Sequence, residues 1–356
     1  MTKSRRFAVS VTCLFALIFA IGSAAQTAYE GQWLLERSND SGKYQFTLRY
    51  RPADRYDGEG YWDTSRTIRL DENKLPGLSQ ADLNSGGKQV QFKLMRDPGT
   101  FSCEGWAKGG DASGHWVFQP NAGFIAQLKQ RGIGEPTEKE EFRLAMADVS
   151  IALLDELKQE GYETPTVTQL VRLGDHGVNL EYITGMKALG YRFDSLERLV
   201  KMRDHGVGPS YVRELAEAGY DHLAAEEILR ARDHGVGPDF IQGLQSKGYT
   251  HLPLSDLVRL RDHGAGPQFM DELAAEGYTK LPLEEVVRLR DHGVNESYIR
   301  DMKQAGFANL STDELVRLRD HGVSYSFLEQ AKQHGFKDLS PEQAIRLRDR
   351  GLPLED

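Results

Sequence analysis

Apolar residues recur at helical spacing through the C-terminal two thirds of the chain and alternate with polar residues in the N-terminal third. Phe269, Met270 and Leu273 follow the spacing i, i+1, i+4, which places them on one side of a helix. Residues 44–50 and 90–94 instead alternate apolar with polar side chains, as half-buried strands do. The pattern therefore predicts an α+β multidomain protein, in which a small antiparallel β domain precedes an α-solenoid.

An internal repeat of 29 residues organises the helical region. The tripeptide Asp-His-Gly recurs at this step, with its histidine at His176, His205, His234, His263, His292 and His321. An aromatic residue keeps the same step from Tyr162 to Phe336. Such a period is typical of tandem units that stack side by side and share one core.

Each unit is predicted to fold as a pair of short helices. Ser311 and Glu314 form a capping box before the first helix, and Gly322 supplies the left-handed conformation at its end. The second helix begins at a Gly-Pro pair such as Gly266-Pro267. Because one helix pair cannot bury both apolar stripes, we expect consecutive units to pack against one another.

The N-terminus is predicted to be an export signal. Lys3, Arg5 and Arg6 precede an apolar run, and small residues follow it. We expect a periplasmic or secreted protein with no stable membrane span after cleavage, and an uncleaved anchor is the alternative. The predicted segments are a signal peptide at 1–25, a β domain (sandwich or partial barrel) at 26–136, linking helices with a half-repeat at 137–162, and the solenoid with its closing helix at 163–352.

Composition narrows the classes of partner. Among 356 residues, 53 acidic residues outnumber 44 basic ones, and the formal net charge is −9. A general nucleic-acid binder needs a basic face, so we expect no nucleic-acid partner. Cys13 lies inside the predicted signal, which leaves Cys103 without an internal disulfide partner and favours an inert buried thiol.

A column of cations recurs at the repeat step on the outward side of the first helix. At about 100° per residue, Arg259 falls opposite the apolar face of its helix. We call this set the outer cation column: Arg172, Lys201, Arg230, Arg259, Arg288, Arg317 and Arg346. One hypothesis is a basic stripe that binds an acidic surface of a protein partner. Pairing of Arg259 with Asp262 one turn later, or recent duplication, is the alternative.

A second column of arginines falls inside the apolar face of the same helical wheel. We call it the arginine ladder: Arg203, Arg232, Arg261, Arg290, Arg319 and Arg348. We expect an internal brace that reaches helix-end carbonyls or an aspartate of the next unit such as Asp262. Gly174 interrupts the ladder in the first unit.

The six repeated histidines raise the question of a metal site, since imidazole is a common transition-metal ligand. Packed helices lie about 8 to 10 Å apart, whereas zinc needs its ligands at about 2 Å. Adjacent residues such as Asp262 and His263 also point in different directions on a helix. We therefore expect no metal and a structural role, in which each histidine bonds helix-end carbonyls or the adjoining unit.

Catalytic motifs are missing from the sequence. It contains no His-Glu-x-x-His, no Gly-x-Ser-x-Gly and no phosphate-binding Gly-Lys-Ser or Gly-Lys-Thr. Cys103 and His115 are a candidate nucleophile and base, but no third group orients them. Trp62, in a glycine-rich turn, is the candidate contact for a glycan. We expect a protein that is not an enzyme and that uses no cofactor.

The repeat phrase Leu-Val-Arg-Leu-Arg-Asp-His-Gly, as at 257–264 and 315–322, resembles helical repeats of bacterial exported proteins. It is also similar to the C-terminal extensions of some BlaR-type membrane metallopeptidases, over about residues 140–352. The zinc motif and membrane helices of those enzymes are absent from this sequence, so the resemblance implies no peptidase activity. It implies a bacterial envelope protein.

These observations favour a non-catalytic binding or scaffold protein whose repeat surface binds a protein partner. A receptor that takes a small molecule or glycan through the β domain is one alternative, and a secreted enzyme is another. The partner's identity and the oligomeric state do not follow from the sequence.

Overall fold

The computed structural model describes residues 29–38, 43–51, 64–71 and 77–351. The predicted signal peptide and Trp62 lie outside these described residues. The chain divides into two compact units, Met1–Leu94 with Phe101–Gln119 and Met95–Thr100 with Pro120–Asp356. No helix in the described ranges is both long enough and apolar enough to cross a membrane.

The first unit is built on a six-stranded antiparallel sheet. Its strands and one short helix are β1 (Glu30–Arg37), β2 (Lys43–Tyr50), β3 (Thr64–Asp71), α1 (Gln80–Leu83), β4 (Lys88–Arg96), β5 (Gly99–Lys108) and β6 (Asp111–Pro120). The strand order is β3-β2-β1-β6-β5-β4. In this register Trp33 lies opposite Leu48 of β2 and Gly114 of β6.

Alternate residues of the strands face an aromatic core. Trp33, Phe46 and Trp116 are all buried. The ring centroid of Phe92 in β4 lies 5.0 Å from that of Trp33 and 6.0 Å from that of Phe46. Since β5 and β6 separate β4 from these strands in the sheet order, the sheet must curl around its core. The β domain is therefore a single curled sheet and not a two-layer sandwich.

The second unit contains sixteen helices within its described residues, in two alternating classes. The first helices of the pairs are α3 (Glu138–Met146), α5 (Val167–Asp175), α7 (Leu196–Asp204), α9 (Ala225–Asp233), α11 (Leu254–Asp262), α13 (Leu283–Asp291), α15 (Thr312–Asp320) and the closing α17 (Pro341–Arg350). The second helices are α2 (Ala122–Gln130), α4 (Ile151–Gln159), α6 (Leu180–Ala188), α8 (Pro209–Glu217), α10 (Pro238–Ser246), α12 (Pro267–Ala275), α14 (Glu296–Gln304) and α16 (Tyr325–Gln333). The predicted arrangement of helix pairs after a β domain is confirmed.

Local sequence signals set the ends of these helices. The capping box of Ser311 and Glu314 opens α15, and Pro267 is the first residue of α12 after Gly266. After α15, Gly322 adopts a φ of 67°, the left-handed conformation that glycine takes at low cost. The predicted start and stop signals are confirmed at these positions.

The array includes a complete helix pair within 137–162, where linking helices and a half-repeat are expected. Helices α3 and α4 form a complete pair in register with the later units, and α2 stands in the place of a second helix. Ala147 and Asp148 occupy the positions of the histidine and glycine, so this unit carries no Asp-His-Gly tripeptide. Asp148 nevertheless adopts a φ of 57°, as the glycine does. A search for the tripeptide cannot detect a unit that keeps only this backbone geometry.

Like helices pack together along the array. First helices of adjoining units contact one another, as α3 and α5 or α13 and α15 do, and second helices do the same, as α4 and α6 or α12 and α14 do. The apolar stripes merge into one continuous core that runs from Phe124 to Ile345. Because every unit repeats the same contacts, equivalent surface residues form rows along the array.

Candidate binding surfaces

The repeated histidines connect neighbouring units. Each imidazole Nδ1 lies 2.5 to 2.8 Å from Oδ1 of the aspartate in the next tripeptide. The pairs are His176–Asp204, His205–Asp233, His234–Asp262, His263–Asp291, His292–Asp320 and His321–Asp349. Asp262 and His263 thus bond different units although they are neighbours in the sequence. No group of three or more His, Cys, Asp or Glu side chains among the described residues is placed to hold a metal ion.

Arginine stands at both ends of this row of histidine–aspartate pairs. The first tripeptide aspartate, Asp175, has Ala147 where an earlier histidine would lie, and it forms an ion pair with Arg143 instead. At the other end Asp349 bonds His321 and is followed by Arg350, not by a seventh histidine. The row therefore has defined ends within the chain.

The arginine ladder lies on the surface and not inside the core, so the expected internal brace is corrected. Each guanidinium stacks over an aromatic ring of the preceding unit, with Cζ 4.7 to 5.3 Å from the ring centroid. The pairs are Arg203 over Tyr182, Arg232 over Tyr211, Arg261 over Phe240, Arg290 over Phe269, Arg319 over Tyr298 and Arg348 over Phe327. The position falls in the last turn of a short helix, where a long side chain reaches past the helix end and keeps its charge in water.

Glycine makes room for each stacked arginine. Gly235 has a φ of 68°, and a Cβ there would lie 3.3 Å from Nε of Arg261. The side chains of the ladder arginines make no hydrogen bond or ion pair with another described residue, so the expected bonds to helix-end carbonyls or Asp262 are not formed. Gly174 interrupts the ladder because a Cβ there would lie 2.6 Å from the Cβ of Ala147.

The outer cation column is partly engaged in contacts between units. Arg259, Arg288 and Arg317 each form an ion pair with an acidic residue in the first turn of the next first helix. The respective partners are Glu284, Asp313 and Glu342. The bond from Arg259 is bidentate and lowers the pKa of the Glu284 carboxyl. The alternative pairing of Arg259 with Asp262 in its own helix is not formed.

The N-terminal part of the outer cation column has no such partners. Arg172, Lys201 and Arg230 are exposed and make no hydrogen bond or ion pair with another described residue. Glu197 and Glu226 occupy the partner positions for Arg172 and Lys201, but they bond Gln169 and Arg198 instead. Ser255 stands where an acidic partner for Arg230 would lie. Arg346, in the closing helix, donates to a backbone carbonyl of its own helix at 3.4 Å. Three unpaired cations therefore lie at the same position of successive units.

The repeated tyrosines form a further contact that we did not predict from the sequence. Their hydroxyl groups donate to backbone carbonyl oxygens of the next unit at 2.6 to 2.8 Å, namely Tyr220 to Leu252, Tyr249 to Leu281 and Tyr278 to Leu310. Burial raises the pKa of Tyr249, which keeps its hydroxyl protonated and able to donate. Phe307 continues the series without the hydroxyl. The exact repeat of tyrosine, rather than any aromatic residue, was the signal available in the sequence.

A carboxyl group is buried in the first complete helix pair. Glu141 is 3% exposed and accepts a hydrogen bond from the backbone N–H of Asn121 at 3.1 Å. Burial raises the pKa of this carboxyl above its ordinary value of 4.5. Leu170 occupies the equivalent position in the next unit. Glu141 thus places an ionisable group where later units have an apolar one.

The candidate pair of Cys103 and His115 is not brought together as a nucleophile and base. Cys103 is buried, and burial raises the pKa of its thiol to about 12. His115 is exposed, whereas the next residue, Trp116, is buried, so the imidazole lies on the solvent face of the sheet. The thiol is inert and faces the core.

The solvent face of the sheet carries an exposed tryptophan and a shallow depression. Trp106 in β5 is 55% exposed, whereas Trp33 and Trp116 are buried. The depression has a volume of about 450 Å³ and is lined in part by Gln91, Lys93, Ser102, Glu104, His115 and Val117. A depression lined by polar side chains is compatible with a glycan or small polar ligand.

Comparison with known proteins adds no assignment to this geometry. No protein-family model matches the chain, and no curated protein matches it. The resemblance of the repeats to the extensions of BlaR-type metallopeptidases therefore stays a prediction from the repeat phrase.

Proposed function

We propose that this chain is an exported, non-catalytic binding or scaffold protein that binds a protein partner in the bacterial envelope through its helical array. The observation that carries the proposal is the unpaired part of the outer cation column. Arg172, Lys201 and Arg230 are exposed in successive units without an acidic partner among the described residues. A row of free cations at a fixed spacing suits an acidic protein surface.

The ion-paired residues of the outer cation column are less suited to partner binding than the unpaired ones. Arg259, Arg288 and Arg317 are held by carboxylates of the next unit, so their charge is already compensated. Breaking those ion pairs on binding would cost part of the energy that a partner supplies. We therefore place the partner against the N-terminal units of the array.

Charge reversal tests the proposal. The variant Arg172→Glu/Lys201→Glu/Arg230→Glu is compared with wild type in affinity capture from envelope extract, followed by mass spectrometry. Lys158, Arg213 and Lys337 are exposed, unbonded cations outside the column, so their joint change to glutamate is the matched control.

We expect the column variant to lose the partner and the control variant to retain it. The recovered partner is then purified and its affinity measured by calorimetry with all three proteins. Equal affinity for wild type and the column variant would overturn the proposal.

The β domain supports a second candidate function, as a receptor for a glycan or small polar molecule. Trp106 is exposed and lies on β5, the strand that also carries Ser102 and Glu104 of the depression. Retention of wild type, but not of Trp106→Ala, on immobilised glycans would favour this function. The control is Lys108→Ala, which changes an exposed residue at the end of β5, the strand of Trp106. A buried tryptophan such as Trp33 would be a poor control, because its loss would disturb the core.

A further inference from the structure

We propose that the arginine ladder binds an extended acidic polypeptide segment, with one carboxylate of the segment at each repeat. This inference rests on the proposed function and names a second surface and the chemistry of its partner. It concerns Arg203, Arg232, Arg261, Arg290, Arg319 and Arg348, which the sequence alone assigns to a purely structural role.

The ladder offers hydrogen-bond donors that are fixed in place but not used. Each guanidinium Cζ lies over a ring, 4.7 to 5.3 Å from its centroid, and none of these guanidinium groups forms a hydrogen bond or ion pair with another described residue. An arginine has five N–H donors in a rigid fork that matches a carboxylate. Because the ring already restricts the side chain, little rotamer freedom is lost when a carboxylate binds.

Successive arginines line a common pocket. Arg261 and Arg290 both border a cavity of about 210 Å³, whose walls include Phe240 and Phe269. An acidic side chain entering this cavity meets two guanidinium groups with its carboxylate and apolar surface with its methylene groups. The arrangement recurs with the repeat, since each arginine stacks on the preceding unit in the same way.

The acidic residues near the cavity do not neutralise the charges of both Arg261 and Arg290. The tripeptide aspartates are engaged, as in the bond of Asp291 to His263 at 2.6 Å. Among the residues that line the cavity, Glu272 is the acidic one, and it lies 3.4 Å from the side-chain amide of Gln268. One carboxylate beside two unpaired guanidinium groups leaves room for the carboxylate of a ligand.

The geometry favours a polypeptide over an acidic polysaccharide. The guanidinium groups cover the faces of Phe240 and Phe269, so this surface offers charged donors and no open aromatic face on which a sugar ring could stack. Packed helices lie about 8 to 10 Å apart, and a polyproline II segment advances about 9.3 Å per turn of three residues. An acidic residue at every third position therefore presents its carboxylates on one side at the spacing of the units.

A designed peptide provides the test. The probe is a fluorescein-labelled peptide of six Glu-Pro-Pro triplets, and its control has the same composition with the glutamates clustered at one end. Binding to the full chain is followed by fluorescence anisotropy at low salt. We expect the regular peptide to bind at least about tenfold more tightly than the clustered one.

Two sets of variants separate this surface from the outer cation column. We expect Arg232→Gln/Arg261→Gln/Arg290→Gln to weaken binding of the regular peptide at least about tenfold, because three bidentate contacts are lost. The neighbouring triple variant Arg172→Gln/Lys201→Gln/Arg230→Gln removes the same charge from the outer cation column and should bind as wild type does. Arg→Lys at the three ladder positions keeps the charge but not the fork, and it should weaken binding by about threefold to tenfold. Circular dichroism checks that every variant is folded.

The outcomes distinguish this inference from the proposed function. Loss of peptide binding in the outer-column variant alone, equal binding of the two peptides, or tighter binding of a polyuronate than of the regular peptide would overturn the ladder inference. In each case capture of an envelope partner through Arg172, Lys201 and Arg230 is measured separately and can still succeed. Loss of that capture with intact ladder binding would overturn only the outer-column proposal.

Discussion

The bond between His263 and Asp291 predicts a stabilising coupling between two residues that are distant in the sequence. Nδ1 of the imidazole lies 2.6 Å from Oδ1 of the carboxylate, and the side chains are 39% and 43% exposed. At this exposure water screens the charges, so a contribution of about 0.5 to 1 kcal/mol is expected. We expect that coupling from a double-mutant cycle of His263→Ala and Asp291→Ala.

The sequence supplies a matched control for this cycle. Asp262 is adjacent to His263 but bonds His234 of the preceding unit. A cycle of His263→Ala and Asp262→Ala should therefore show no coupling within error. Unfolding by urea, followed by circular dichroism and fitted with nearest-neighbour terms, gives both values. A larger coupling to Asp262 than to Asp291 would refute the pairing between units.

Three further predictions follow from other contacts of the array. Tyr249→Phe should lower the free energy of unfolding by about 1 kcal/mol, measured by urea denaturation, because the Leu281 carbonyl loses its donor; an unchanged midpoint would contradict this bond. Gly235→Ala should lower the free energy of unfolding by about 1 to 2 kcal/mol, because Gly235 has a φ of 68°. Gly237 has a negative φ and open space around it, so Gly237→Ala should lower the free energy of unfolding by less than half as much. Burial raises the pKa of Glu141, so the folded chain holds this proton more tightly than the unfolded chain does. The free energy of unfolding therefore falls as pH rises above about 4.5. Glu141→Gln should remove this fall in the denaturation midpoints measured between pH 4 and 8. Parallel pH profiles for the variant and the wild type would contradict this prediction.

The repeat and its helix ends are encoded locally and could be predicted from the sequence. The capping box at Ser311 and the glycine at 322 act through bonds within a few residues, so their spacing is visible in the chain. The region of α3 and α4 was predicted as linking helices and a half-repeat, and not as one complete unit, because Asp148 takes the left-handed conformation without the glycine that usually marks it. Backbone geometry is conserved there while the residue identity is not.

The specific partners of most contacts between units could not be predicted, because they depend on how two units pack. A helical wheel places Arg261 inside the apolar face, but the wheel does not show that the helix ends at Asp262 and leaves the side chain free to stack on Phe240. The same limit applies to Arg259, whose partner Glu284 belongs to the next unit and not to its own helix. Long-range partners of exposed side chains need coordinates.

The arginines at the two ends of the histidine–aspartate row have a consequence for how such a protein can change its length. Arg143 and Arg350 leave neither an unbonded aspartate at the start of the row nor an imidazole at its end. A module added after the closing helix would meet Arg350 in place of the histidine that continues the row. An interior stretch such as 225–253 contains both a histidine and an aspartate of the row. Its duplication would extend the row and leave both ends unchanged. Interior duplication is therefore the simpler evolutionary route to a longer protein.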